Sequence, residues 1–245
     1  MPAAQIAQLP PEAIEADIST RDVPVGGNFA GTRIVVFGAV QNSRQTTDDE
    51  SPYDVAVVIA GPAQQLTARL KADVAGLWIN TGALNFNNVP SYYSVLANRP
   101  IKDIAPKPIL AQLALGFDNL SLAPDTSPDA RETGDYRKAI VRVKTQQGLY
   151  REDPQGIAFI GRSLFRGSVD LPANVPVGEF NAWIYLFRNG ELIGEPYKTV
   201  IDLRREGFER AIYEFAFVYP FWYGVLSVGL ALLSGFIATL IFRRN

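Results

Sequence analysis

Apolar and polar positions along the first third of this chain fall into short runs of strand character. Ala13 to Ser19 alternates briefly. Thr32 to Val40 (TRIVVFGAV) is rich in β-branched and aromatic residues, which suit a pleated surface. The polar loop Gln41 to Pro52 separates it from Tyr53 to Ala60 (YDVAVVIA), an apolar run closed by Gly61-Pro62 that predicts a buried strand. Leu66 to Val74 sets Leu66, Ala68, Leu70 and Ala72 against Thr67, Arg69, Lys71 and Asp73, the pattern of a half-buried strand. Gly76 to Thr81 predicts a further one.

The spacing then turns helical. Ser91 to Asn98 and Ala105 to Phe117 read as helices, with Ile109, Leu113 and Phe117 near one face. Asn119 to Pro128 is a linker. Asp129 to Tyr150 predicts an amphipathic helix with Tyr136, Ile140 and Val143 turned to the core, Ser127 or Asp129 as N-cap, and Gly148 weakening its end. Strands return from Ser163 to Leu171. Phe180 to Arg188 and Glu191 to Leu203 then flank Asn189-Gly190, a strong hairpin signal because both central residues of a type I′ turn need positive φ. The expectation is a mainly β chain: an Ig-like β-sandwich over residues 12–205 with a helical insertion at about 91–150, preceded by a frayed 1–11. The final hairpin cannot bury a core alone, so it is expected to complete the sheets begun at the N-terminus.

From Phe215 to Phe242 no residue is charged. The run exceeds the roughly 20 apolar residues that cross a bilayer core, and only a helix satisfies its own backbone there. Residues 217–242 are therefore predicted to span a membrane, with 206–216 as a helical stalk and 243–245 as a tail. Tyr213, Tyr219, Trp222 and Tyr223 form an aromatic collar on the domain side. Pro220 marks either the first helical turn or a kink. Ser227, Ala231, Gly235 and Thr239 recur every four residues, and small residues at that spacing let another helix approach. Leu226, Leu230, Leu233 and Ile237 lie opposite and suit lipid. The expected partners are thus membrane lipid and either an integral membrane protein or a second copy. Glu214, nearest the hydrocarbon, either rests among headgroups or pairs with that partner.

Composition narrows the chemistry. With no Cys and no His, the chain has no thiol nucleophile, Ser-His-Asp triad, Cys/His zinc site or histidine haem ligand. A net charge of −2 gives no reason to expect nucleic acid. Asp48-Asp49-Glu50 lacks an EF-hand pattern and reads as a solvated loop. Ser163 follows Arg162, outside any G-x-S-x-G elbow. A Ser/Lys dyad with Lys102, Lys107, Lys138 or Lys144 is open, but no spacing singles one out. The expectation is a protein without cofactor or catalytic site. The polar-aromatic stretch from Trp78 to Tyr93, with Tyr92, is either a recognition surface or a core segment with Asn-capped turns.

The side of the membrane is weakly coded. Arg243-Arg244 follow the span, which favours a cytoplasmic C-terminus, but Arg204, Arg205 and Arg210 precede it. The opening Met-Pro-Ala-Ala-Gln reads as a mature chain after a removed signal. The expectation is a periplasmic domain; a tail-anchored protein with a cytoplasmic domain is the alternative.

SPYDVAVVIAGP (Ser51 to Pro62), LWIN (Leu77 to Asn80), the stretch from Gly148 to Leu192 with SLFRGSVDLPANVPVGEF, and GFERAIYEFAFVYPFWYG (Gly207 to Gly224) resemble an alphaproteobacterial family of transmembrane proteins of unknown function. The resemblance covers nearly the whole chain apart from the Gln41 to Glu50 loop and the signal. It implies a periplasmic domain on one C-terminal span in the inner membrane, and company with a polytopic transporter of the sulfite-exporter type. The family has no assigned catalytic residues, so none carries over.

Overall fold

The computed structural model describes residues 10–44, 52–74, 76–126 and 130–242. Its elements run in three stretches. First come β1 (Ala13–Ile18), β2 (Asp22–Val25), β3 (Thr32–Gln41), β4 (Tyr53–Ala60), β5 (Ala63–Val74), β6 (Leu77–Pro90) and β7 (Tyr93–Ala97). Next are α1 (Ile101–Ile104), α2 (Lys107–Gln112), β8 (Ala123–Pro124) and α3 (Ala130–Gln146). Last are β9 (Tyr150–Asp153), β10 (Ile157–Ile160), β11 (Leu164–Leu171), β12 (Gly178–Arg188), β13 (Glu191–Leu192), β14 (Tyr197–Arg205), α4 (Phe208–Val218) and α5 (Pro220–Phe242). The chain is mainly β, in several sheets, with one apolar helix at its C-terminal end.

One sheet has the order β1-β3-β11-β10, a second β2-β14-β12-β4-β7-β9 with β13 beside β12, and a third β5-β6-β8. Because β11 pairs with β3 and β12 with β4, strands from the two ends of the sequence share both larger sheets. Period-two patterning explains the first sheet. Along β11, Phe165, Gly167, Val169 and Leu171 are buried while Leu164, Arg166, Ser168 and Asp170 are exposed. β4 is buried from Tyr53 to Ile59 without alternation, as a strand covered on both faces must be.

A buried carboxylate ties these strands to the start of the chain. Glu12 accepts hydrogen bonds from the Tyr53 hydroxyl on β4, the Arg44 amide at 3.1 Å and the Arg188 guanidinium on β12. Burial opposes its ionisation, but these donors outweigh it and hold its pKa below the usual carboxylate range. Asp54 has the opposite balance. Burial raises its pKa despite hydrogen bonds from Asn98 and Arg99.

Several sequence expectations change. Ser91 to Asn98 is not a helix: β7 lies between β4 and β9, buried at every position including Ser94, so it carried no inside-outside period to read. It pairs antiparallel with β4 but parallel with β9, and the α1–α3 region forms the crossover that a parallel pair requires. α2 ends at Gln112, so Phe117 leaves the predicted helical face and sits in a 3₁₀ turn, stacked on Tyr150 with ring centroids 6.2 Å apart. On α3 the buried positions are Thr133, Tyr136, Ile140 and Lys144, while Val143 is exposed. A lysine thus occupies the stripe position next in register after Ile140. The helix closes as expected at Gly148, with φ of 72°.

The Asn-Gly turn is as predicted, whereas the return strand expected over Glu191 to Leu203 is split into β13 and β14, both paired with β12. Asn189 and Gly190 have φ of 52° and 84°, and Arg188 pairs with Glu191 across them. Asp48-Asp49-Glu50, Ser127, Asp129 and Arg243-Arg244 lie outside the described residues.

The chain divides into two compact units, one of residues 1–23 and 30–203, the other of Pro24–Phe29 with Arg204 onward. In the second, the Glu206 amide bonds the Val25 carbonyl at 3.1 Å, and α4 and α5 follow.

Candidate functional site

The C-terminal helix is where the sequence concentrates its least compromising demand. α5 has 23 residues, about 35 Å at 1.5 Å per residue, enough for a hydrocarbon core of roughly 30 Å. Within it Pro220–Thr239 has mean hydropathy 1.8 and none of it is buried inside the chain. Helix geometry breaks at Tyr219, whose φ and ψ of −127° and 59° end α4, and Pro220 opens α5. The first-turn reading of Pro220 therefore holds: its missing N–H falls where a helix has no internal partner to lose. The Tyr219 carbonyl still accepts the Tyr223 amide at 3.0 Å.

The small-residue positions are intact as a stripe on α5. Ser227 donates to the Tyr223 carbonyl at 2.8 Å and Thr239 to the Gly235 carbonyl at 2.8 Å. Both hydroxyls are thus satisfied within the helix, and what they offer a neighbour is small volume rather than an unmet hydrogen bond. A side chain built at Gly235 would meet nothing within 4 Å, so that surface is open. Leu226, Leu230, Leu233 and Ile237 are exposed.

Upstream, the collar is in place. Tyr213, Tyr219, Trp222 and Tyr223 are all exposed, with Tyr213 packed on Phe217 at 4.4 Å between centroids. Glu214 is exposed on α4 but already engaged within the chain, so it is not a free charge awaiting a partner.

The second candidate surface loses Tyr92 and Tyr93. Trp78 lies on β6, its side chain outside the described residues. Residues 77–90 form a continuous strand rather than a loop, with Leu84, Phe86 and Val89 buried. Tyr92 and Tyr93 are 1% and 2% exposed and cannot contact a partner. The Tyr92 hydroxyl donates to the Asp170 carbonyl at 3.2 Å and that of Tyr93 to the Ala114 carbonyl at 2.6 Å. Burial pushes Tyr92 up to about 12 and Tyr93 higher still. Tyr92 lies in the bend between β6 and β7 and Tyr93 opens β7, which is buried on both faces, so no alternation marked these rings as inward, and the neighbouring asparagines gave the stretch a polar look.

Among the described residues, no group of three or more carboxylates could hold a metal ion. A family model described as "Putative transmembrane protein (Alph_Pro_TM)" matches residues 13–244. The chain belongs to this family. The match embraces both the β-rich unit and α5, the one candidate span among the described residues, so the family's membrane character falls there. Neither curated proteins nor solved structures gave a match.

Proposed function

We propose that this family member is a non-catalytic accessory subunit of the inner membrane. Its β-rich domain lies in the periplasm, and α5 packs against another integral membrane protein, with the sulfite-exporter type of transporter as the partner class that the family resemblance implies. The observation that carries this reading is α5 itself. It is apolar on every side, exposed from Pro220 to Thr239, and keeps Ser227, Ala231, Gly235 and Thr239 in one stripe opposite leucines suited to lipid. Without a hydrophobic driving force between helices in lipid, close packing at small residues is what gives association its specificity. A second copy of α5 is the other occupant that this stripe admits.

Gentle extraction followed by affinity purification tests the reading. The wild-type chain should recover a membrane protein, and Gly235→Leu should lower that recovery at least five-fold without lowering the amount of chain in the membrane. Recovery of the chain alone as a dimer that Gly235→Leu breaks would replace the heterologous partner by self-association. Full recovery with Gly235→Leu would remove α5 as the interface.

A further inference from the structure

The lysine on the buried stripe of α3 has no account in the accessory role. Lys144 is 7% exposed and, among the described residues, its ammonium has neither hydrogen bond nor ion pair. A lysine in the last helical turn ordinarily turns to the free carbonyls there. Here those carbonyls are taken: Val143 accepts from the Gln147 amide at 3.0 Å, Lys144 from Leu149 at 2.9 Å and Thr145 from Gly148 at 2.9 Å. Desolvation lowers the pKa of Lys144, so the charged form is held at a cost that an anion would offset.

The side chain lines a cavity of about 350 Å³ between α3 and β5. Leu66, Ala68, Ala139, Ile140 and Val143 supply apolar walls, and the charged residues among the described lining are Lys144 and Arg69, both cationic. Val143, exposed where the sequence pattern placed it inward, stands on this wall. A recess with apolar walls and an unpaired cation on a buried stem, with Thr67, Arg69 and Gln147 also in its lining, has the form of a small-molecule site: hydrocarbon contact supplies area, and a few polar groups fix orientation. We propose that this recess binds a small amphiphilic carboxylate, its head on the Lys144 ammonium and its hydrocarbon chain against Leu66, Ile140 and Val143. The site is separate from α5, so its failure and that of the accessory role are independent.

Hexanoate is the probe, with hexanol and hexylammonium as neutral and cationic counterparts. The full chain is held in lipid nanodiscs, and empty nanodiscs give the background. Saturation-transfer NMR should show hexanoate contacting the wild-type chain and at least a five-fold loss with Lys144→Met, while the exposed Lys138→Met keeps the wild-type signal. Trace acetylation followed by peptide mass spectrometry reads the site directly. Hexanoate should slow modification of Lys144 at least five-fold and leave Lys102, Lys107 and Lys198 unchanged, which keeps the test decisive if Lys144→Met does not fold. Equal protection by hexanol, absence of protection of Lys144, or transfer retained in a folded Lys144→Met overturns the assignment.

Discussion

At the scale of single residues, two buried carboxylates carry opposite signs. Glu12 keeps a folded-state pKa below its ordinary 4.5, so its contribution to stability is complete above 4.5 and fades as pH falls through the folded value. Asp54, with a pKa raised above 3.8 by burial, favours the fold when protonated, and that contribution fades as pH rises through its folded value. Glu12→Gln should therefore cost roughly 1.5–3 kcal/mol at pH 7, the range for a lost hydrogen bond to a charged group. The deficit should shrink on acidification below 4.5. Asp54→Asn should leave the midpoint unchanged or raise it. Thermal unfolding of both variants from pH 3 to pH 7 checks the pair; a Glu12→Gln deficit that does not depend on pH would show that packing, not charge, holds Glu12. Neither role was legible in the sequence, because Tyr53 and Arg188 become neighbours by pairing of β4 with β12, and Glu12 reaches them from just before β1, which belongs to a different sheet. Lys144 was hidden for a different reason: Val143 fits the apolar pattern better than lysine does, and only the register of Tyr136 and Ile140 shows which residue is turned inward.

Elements were legible in proportion to their local signals. β3, β4, β11 and the β12 hairpin announced themselves by alternation, β-branched runs and Asn-Gly. β7 did not, since a strand buried on both faces has no period, and its parallel pairing with β9 depends on a crossover across some fifty residues. β2 went unread as well, being four residues long with Pro24 inside it. The hairpin offers the sharper test of how far local code sets an element. Gly190 has φ of 84°, and an added Cβ would come no nearer than 3.4 Å to Pro106, so Gly190→Ala isolates backbone strain from crowding. The left-handed region costs a non-glycine residue about 1–2 kcal/mol. Gly190→Ala should lower stability by that amount, while Asn189→Gly, at a φ glycine adopts freely, should change it little. Equal effects from the two variants in denaturant titrations would show that side-chain contacts of Asn189, not turn conformation, set the register.

At the scale of the whole molecule, the single apolar helix was the most legible feature of the sequence, and the side of the membrane was the least. Length and hydropathy suffice to identify a span, whereas orientation rests on a small excess of Lys and Arg near its ends, and here arginines lie on both sides. The chain has no cysteine, so a single introduced thiol reports its own compartment. Ser168 is exposed on β11, within the alternating face turned away from the core, and a thiol there disturbs no buried contact. Ser168→Cys should react with a membrane-impermeant maleimide in intact spheroplasts as fully as in lysed ones, because the proposed domain faces outward. A cysteine placed beyond Arg244, by Asn245→Cys, should react only after lysis. The reverse pattern would turn the domain to the cytoplasm and remove the periplasmic role while leaving the span intact. Reaction of both thiols before lysis would show that Pro220–Thr239 does not cross the bilayer. The aromatic collar gives an internal control: Tyr219→Cys, at the headgroup level, should label more slowly than Ser168→Cys from the same side, since the interface restricts access of a charged reagent.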